Sequence, residues 1–217
     1  MDALAPHHDP TVPVQLGTTI MAVSYAGGVV MAADSRTSTG VYVANRVSNK
    51  ITRVAPHIYC CRSGSAADTQ AISDYVRRYV HELSLELNRE VNVSVAASLF
   101  RELCYRNKDR LTAGIICAGW DAQHGGQVYT ITLGGSKLQQ PFSIGGSGSA
   151  YIYGFCDAAY RPDMTRAECI DFCVKAVSLA MSRDGSSGGV IRLVCVDRDG
   201  VERQLVAGDA VPRAWQG

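Results

Sequence analysis

GTTIMAVSYAGGVVMAAD, residues 17–34, is the stretch from which the fold is read. Thr19 to Val23 has the texture of a strand, Ala26-Gly27-Gly28 that of a turn, and Val29 to Ala33 that of a second strand ending at Asp34. Together they predict a β-hairpin. On its N-terminal side, residues 1–17 carry three prolines, the paired His7 and His8 and little periodicity, which marks a loose extension. On its C-terminal side a second strand pair is expected, Lys50 to Val54 and Ile58 to Cys61 around Ala55-Pro56-His57. Its strands are too apolar to leave one face in water.

Farther along, Ile72, Tyr75, Val76, Tyr79, Val80, Leu83 and Leu87 recur at three- and four-residue steps, predicting a buried helix face from Ala66 to about Asn88. A second helix begins near Ser94, carries Val95, Leu99, Phe100 and Leu103 on its apolar side, and stops at Asn107-Lys108-Asp109. Strand texture returns at Ile115 to Ala118 and Gln127 to Leu133, around Gly125-Gly126. Two more helices follow. One comes after Gly145-Gly146-Ser147-Gly148; the other opens with the capping box Thr165-Arg166-Ala167-Glu168 and buries Ile170, Cys173, Val174, Val177 and Met181. Val190 to Val196 and Val201 to Val206 close the chain as a strand pair around Asp199-Gly200. Strands, two helices, strands, two helices and strands bury every apolar face in an α+β, four-layer αββα sandwich, with two antiparallel sheets between helical layers.

At 217 residues, 47% hydrophobic and 19% charged, the chain suits one globular domain. A net charge of +1 leaves no electrostatic footprint for nucleic acid or an anionic membrane. No apolar run reaches the ~18 to 20 residues of a membrane-spanning helix. With an acid at Asp2 and no apolar centre, the N-terminus does not read as a secretory signal, so the protein is expected inside the cell. The eight cysteines are then expected to be reduced and mostly buried. No zinc-ligand spacing joins Cys60-Cys61 or Cys169 and Cys173 to the histidines, and neither metal nor cofactor is expected.

Three short motifs mislead. Gly185-Ser186-Ser187-Gly188-Gly189 fits the pattern of a serine-hydrolase elbow, but a helix precedes it, a strand follows it, and no histidine occurs after His124. Gly146-Ser147-Gly148 opens like a dinucleotide loop, yet Tyr151 stands where its third glycine belongs. Asn92-Val93-Ser94 is a glycosylation pattern with no meaning outside secretion.

Six segments in order give Thr18 a different weight: GTTIMAV from Gly17, ADSRT at 33–37, Lys50 at its strand start, SGSAADTQ at 63–70, IGGSGSAYIYG at 144–154 and SRDGSSGG at 182–189. In this order and spacing they resemble the proteasome β family, over a length from Thr18 almost to the C-terminus. The resemblance implies a propeptide of residues 1–17, cut between Gly17 and Thr18, before a domain of 18–217 with the N-terminal-nucleophile hydrolase sandwich. A threonine hydroxyl is a poor nucleophile without a base. Cutting at Thr18 would create an α-amine on the same residue, with an ordinary pKa of roughly 7.7 to 8.0. Lys50 matches the family's catalytic lysine, and Asp34 would hold it charged. Gly64 would offer its backbone N–H to the oxyanion, while Ser147, Asp184 and Ser187 match positions that orient the amine. Outside that context, Asp34 and Lys50 would be a simple ion pair and Gly64 a turn glycine.

Arg62, directly before Ser63-Gly64, occupies a position at the floor of the family's specificity pocket. An arginine there, with RSGSAADTQ and GIICAGWD, looks most like the caspase-like subunit that cleaves after acidic residues. Thr37, Ser38, Ser48, Thr52, Ala66 and Gln70 match other cleft positions. The resemblance further implies other α and β subunits in stacked seven-membered rings as partners, unfolded polypeptides as substrates, and a cytoplasmic and nuclear location. Two alternatives stand beside this reading: an uncut ring subunit that contributes shape alone, and a different N-terminal-nucleophile amidase.

Overall fold

Small and β-branched residues buried on both faces build the centre of the molecule. The first strand, β1 (Ile20–Tyr25), pairs antiparallel with β2 (Gly28–Ala33), from Ile20 opposite Ala33 to Tyr25 opposite Gly28, and all six residues of β2 are buried. That burial explains why GVVMAA shows no polar alternation. The computed structural model describes residues 17–39 and 42–213. The propeptide expected over 1–17 lies outside the described residues except for Gly17.

Two five-stranded antiparallel sheets form the middle layers. One runs β10-β1-β2-β11-β12, with β10 at Phe142–Gly145, β11 at Ile191–Asp197 and β12 at Gly200–Val206. The other runs β5-β6-β7-β8-β9, with β5 at Ile51–Ala55, β6 at Ile58–Gly64, β7 at Ala113–Asp121, β8 at Gly125–Ile131 and β9 at Lys137–Gln139. A separate hairpin joins β3 (Thr37–Thr39) to β4 (Tyr42–Asn45). The short strands β3, β4, β9 and β10 were not expected from the sequence, because three or four residues carry too little periodicity to read.

Alternation along the strands sorts side chains into three cores. Ile20, Ala22, Met31, Cys61 and Ile116 fill the space between the sheets. Met21, Val23 and Val30 face outward onto helix α4 (Arg166–Arg183), meeting Cys173, Ala176 and Val177. On the other side Cys60 and Cys117 meet Val76, Val80, Ala97 and Phe100 from α1 (Ala66–Leu87) and α2 (Val93–Arg106). Cys60 and Cys61, adjacent in sequence, therefore serve different cores. All eight cysteines are buried and unpaired. The helix–sheet–sheet–helix order is the expected sandwich.

The buried face of α1 is narrower than its sequence suggests. Ile72, Val76 and Val80 are buried, but Tyr75, Tyr79 and Leu87 are 52%, 46% and 46% exposed. Each tyrosine lies ~100° around the helix from the valine that follows it, and only the valine reaches the sheet. Val95 on α2 is likewise exposed. The capping box of α4 is present: Thr165 N–H donates to Glu168 Oε2 at 2.8 Å and Glu168 N–H to Thr165 Oγ1 at 3.3 Å. The helix expected after Gly148 is a 3-10 turn over Ser147–Tyr151 followed by α3 (Tyr153–Ala159).

Where β2 and β8 begin, the two sheets touch backbone to backbone. A Cβ at Gly126 on β8 would stand 2.3 Å from the Gly28 carbonyl oxygen on β2, so a side chain there must push the sheets apart. Gly126→Val is expected to destabilise the chain by about 1–3 kcal/mol or more. Gly134→Ala, in open space, should stay within about 0.5 kcal/mol. Urea denaturation of the two variants checks the difference.

Candidate active site

Thr18 lies two residues before the start of β1 and is almost completely buried. Its N–H donates to Ser147 Oγ at 3.1 Å, its hydroxyl donates to the Gly17 carbonyl at 2.7 Å, and its own carbonyl accepts from Gly148 N–H at 3.1 Å. Pairing of β10 with β1 brings these groups together, with Ile20 opposite Gly145. The approach is close. Gly146 has φ +83°, and a Cβ on it would lie 2.0 Å from the Thr18 oxygen. Gly17 is similarly confined, since a Cβ there would come 1.7 Å from Ser186 Cβ.

Lys50 and Asp34 lie beside this junction. Lys50 Nζ donates to Asp34 Oδ1 at 2.7 Å and to the Gly17 carbonyl at 3.3 Å. Asp34, with no exposure, also accepts from Thr19 N–H at 2.9 Å on the same oxygen. Its other oxygen takes Arg36 N–H at 3.1 Å and Gly188 N–H at 2.9 Å. Burial pushes the Lys50 ammonium below its ordinary pKa, against the upward pull of Asp34.

A second carboxylate lies behind Thr18. Asp184 Oδ2 accepts from Ser147 Oγ at 2.7 Å and Ser187 Oγ at 2.6 Å, and its Oδ1 accepts from Ser186 N–H at 3.0 Å. Thr19 Oγ1 lies 2.7 Å from Ser187 Oγ and completes the chain of hydroxyls. Burial would raise the Asp184 pKa, but the donors on Ser187, Ser147 and Ser186, with Lys50 nearby, outweigh it and hold the carboxyl below its usual range. The Thr18 nitrogen therefore faces an oxygen whose own proton is committed to a carboxylate.

In front of Thr18 opens a cleft of about 280 Å³, lined by Gly17, Thr18, Thr37, Ser48, Lys50, Arg62, Gly64, Ala66 and Gln70 together with Asn45, Asn49 and Thr69. Gly64 has φ +100°, and a Cβ there would stand 2.2 Å from the Thr112 carbonyl, so only glycine suits this turn from β6 into α1. Thr37 Oγ1 donates to Ser48 Oγ at 2.9 Å and Ser48 Oγ to the Ser35 carbonyl at 2.8 Å, fixing both hydroxyls on the wall. Two residues expected at the cleft are not among those lining it. Ser38 is buried in β3, and Thr52, half-buried opposite Cys60, belongs to β5, no residue of which lines the cleft.

A sequence profile described as proteasome subunit matches residues 14–196. The chain belongs to the proteasome subunit family. It is 63% identical over 204 residues to a Dictyostelium discoideum protein named proteasome subunit beta type-6, covering 94% of this chain and 95% of that one. It is 53% identical to the Arabidopsis thaliana protein of the same name, covering 91% and 84%. It is 55% identical to the Saccharomyces cerevisiae protein named proteasome subunit beta type-1, covering 88% and 89%. Within the family these relatives are β subunits.

Several residues of this proteasome β subunit's site escaped sequence reading. Thr69 had a signal, for Ala66, Thr69 and Gln70 are spaced to share one helix face. Arg36 had none: its Nη1 donates to the Gly185 carbonyl at 2.8 Å, and its guanidinium lies where a Cβ on Gly188 would fall, tying the Asp184–Gly188 loop to the Asp34 segment.

Asp34→Asn would leave a buried ammonium without its charge partner, a change that costs about 3–5 kcal/mol. Lys50 in that variant should lose its proton more readily than in the parent. A lysine whose folded pKa lies below its unfolded one makes stability rise with pH between the two values, the upper being about 10.4. Denaturation of Asp34→Asn between neutral and alkaline pH should show a steeper rise than the parent chain; parallel curves would rule out the coupling.

Proposed function

We propose that this chain is a threonine-type endopeptidase subunit of the proteasome core particle, with Thr18 as nucleophile and a preference for cleavage after acidic residues. One observation carries the reading. The Thr18 hydroxyl and the Lys50 ammonium converge on the Gly17 carbonyl, while the Thr18 nitrogen is held by Ser147 over Asp184.

The uncut chain thus holds a hydroxyl against the bond that must break. Addition of Thr18 Oγ1 to the Gly17 carbonyl carbon would put negative charge on an oxygen that Lys50 already approaches. Transfer of the acyl group from nitrogen to Oγ1, then hydrolysis of that ester by water, would release residues 1–17 and free the Thr18 amine. Afterwards the amine accepts the hydroxyl proton as Thr18 attacks a substrate carbonyl, and passes it to the leaving amine. Asp34 keeps Lys50 charged within the site. Gly64 N–H serves the oxyanion, and the serines on Asp184 hold the amine in place.

Arg62 supports the acidic preference. It lines the cleft, its Nη2 donates to the Asn49 carbonyl at 3.2 Å, and its buried Nε has no partner among the described residues. As a cleft-lining cation, the planar Arg62 guanidinium suits a substrate carboxylate. The chain would act beside other α and β subunits of stacked seven-membered rings, on unfolded polypeptide, in cytoplasm and nucleus.

In assembled particles, Thr18→Ala should leave residues 1–17 attached by N-terminal mass and abolish this subunit's cleavage after Glu or Asp. Cleavage that survived, or a parent chain that kept its N-terminal segment, would favour a silent ring component. Arg62→Met should lower the ratio of acidic to apolar cleavage about tenfold or more while the subunit still matures. Because the acting base is a neutral amine, kcat/KM for the acidic peptide should rise with pH as that amine loses its proton.

A further inference from the structure

Between β4 and β5 the chain runs through Arg46, Val47, Ser48, Asn49 and Lys50 outside both strands, yet each of these five carbonyls is held from elsewhere. Ser35 Oγ donates to the Arg46 oxygen. Arg192 donates through Nη2 to the Val47 oxygen at 2.9 Å and through Nε to the Ser48 oxygen at 3.2 Å. Arg62 donates through Nη2 to the Asn49 oxygen at 3.2 Å and through its backbone N–H to the Lys50 oxygen at 3.0 Å. In return, Ser48 N–H donates to the Ser35 carbonyl at 3.0 Å. The Lys50 bond continues the β5–β6 ladder, but from Arg46 to Asn49 the segment is a strap whose path is set bond by bond, mostly by side chains.

The strap ends in groups the proposed chemistry needs. Ser48 and Asn49 line the cleft, Lys50 reaches the Gly17 carbonyl, and the Asn49 oxygen is the acceptor for Arg62. Arg192 comes from the other sheet, on β11 opposite Ala33, and does not line the cleft. A guanidinium is suited to this task because Nε and Nη2 form one rigid, planar edge that meets two neighbouring carbonyls at once.

We propose that Arg192 is a positioning residue for the substrate cleft: by clamping the Val47 and Ser48 carbonyls it sets the place of Asn49, and through the Asn49 carbonyl it aims Arg62 at an acidic substrate side chain. Selection of the substrate thus depends on a cation in the opposite sheet. The inference rests on the reading of Arg62 given above.

The test uses assembled particles carrying Arg192→Met or Arg192→Lys, with maturation at Thr18 checked by N-terminal mass. For a peptide with Glu before the cut, Arg192→Met should raise KM about tenfold, change kcat less than about threefold, and lower the acidic-to-apolar ratio by a similar factor. Arg192→Lys, able to meet one carbonyl, should recover part of this. Amide hydrogen exchange over residues 46–51 should accelerate about tenfold or more in Arg192→Met, with exchange in α4 unchanged. If Arg192→Met does not assemble, Arg192→Lys carries both readouts at smaller amplitude. Unchanged exchange over 46–51 would overturn the clamp. Faster exchange with unaltered KM and ratio would overturn its part in selection. Acidic cleavage that survives Thr18→Ala would sink the functional reading instead, and the exchange measurement would still judge the clamp.

Discussion

A single carboxylate without solvent contact, Asp34, is the constraint on which the rest of the site depends. It receives the ammonium of Lys50 and the N–H groups of Thr19, Arg36 and Gly188, so both of its oxygens are fully engaged. Those donors come from the head of β1, the loop after β2, the run into β5 and the loop before β11. A buried charge so expensive to desolvate is tolerable only with partners on every side, and satisfying it forces four distant pieces of chain to one point. Thr18 is held between that point and β10.

Asp184 repeats the device with neutral direct partners. It is partnered by hydroxyls and a backbone N–H rather than by a direct cation, and it holds Ser147 and Ser187 with their protons pointed away from Thr18. Two carboxylates with different tasks flank one threonine: the first sustains a cation beside it, the second presents an acceptor to its nitrogen. Arg36 links the two by joining the Asp34 segment to the Gly185 carbonyl. Side-chain networks of this kind hold geometry because each member would be left unsatisfied if its neighbour moved.

Much of the architecture was legible. The hairpin at residues 19–33, both long helices, the capping box at Thr165 and the closing strand pair all stand near their expected places, because each carries its signal within one or two turns of local sequence. The misreadings have local causes as well. Tyr75 and Tyr79 keep the three- and four-residue rhythm of α1 but sit on its flank, where an amphipathic ring is at home in water, with the Arg78 guanidinium 5.6 Å from the Tyr75 ring centre. Strand β10 is four residues long, too short to show a readable alternation, although its pairing with β1 is what brings Ser147 to Thr18. Thr52 and Ser38 match cleft positions by motif without lining the cleft, and motif position does not say where a cleft ends.

By itself the sequence determined the layered fold, the family, and the identities of Thr18, Asp34, Lys50, Arg62, Gly64, Ser147, Asp184 and Ser187 as the residues worth watching. Periodicity and motif order are properties of neighbouring residues and survive without coordinates. What only tertiary structure decided was which atom meets which: Thr18 nitrogen on a serine 129 residues away, Gly188 on an aspartate 154 residues away, and Arg192 on the strap that carries Lys50. Those contacts depend on how two sheets stack and how loops close over them, and hydrogen bonds act only over about 3 Å, a distance that no local pattern encodes.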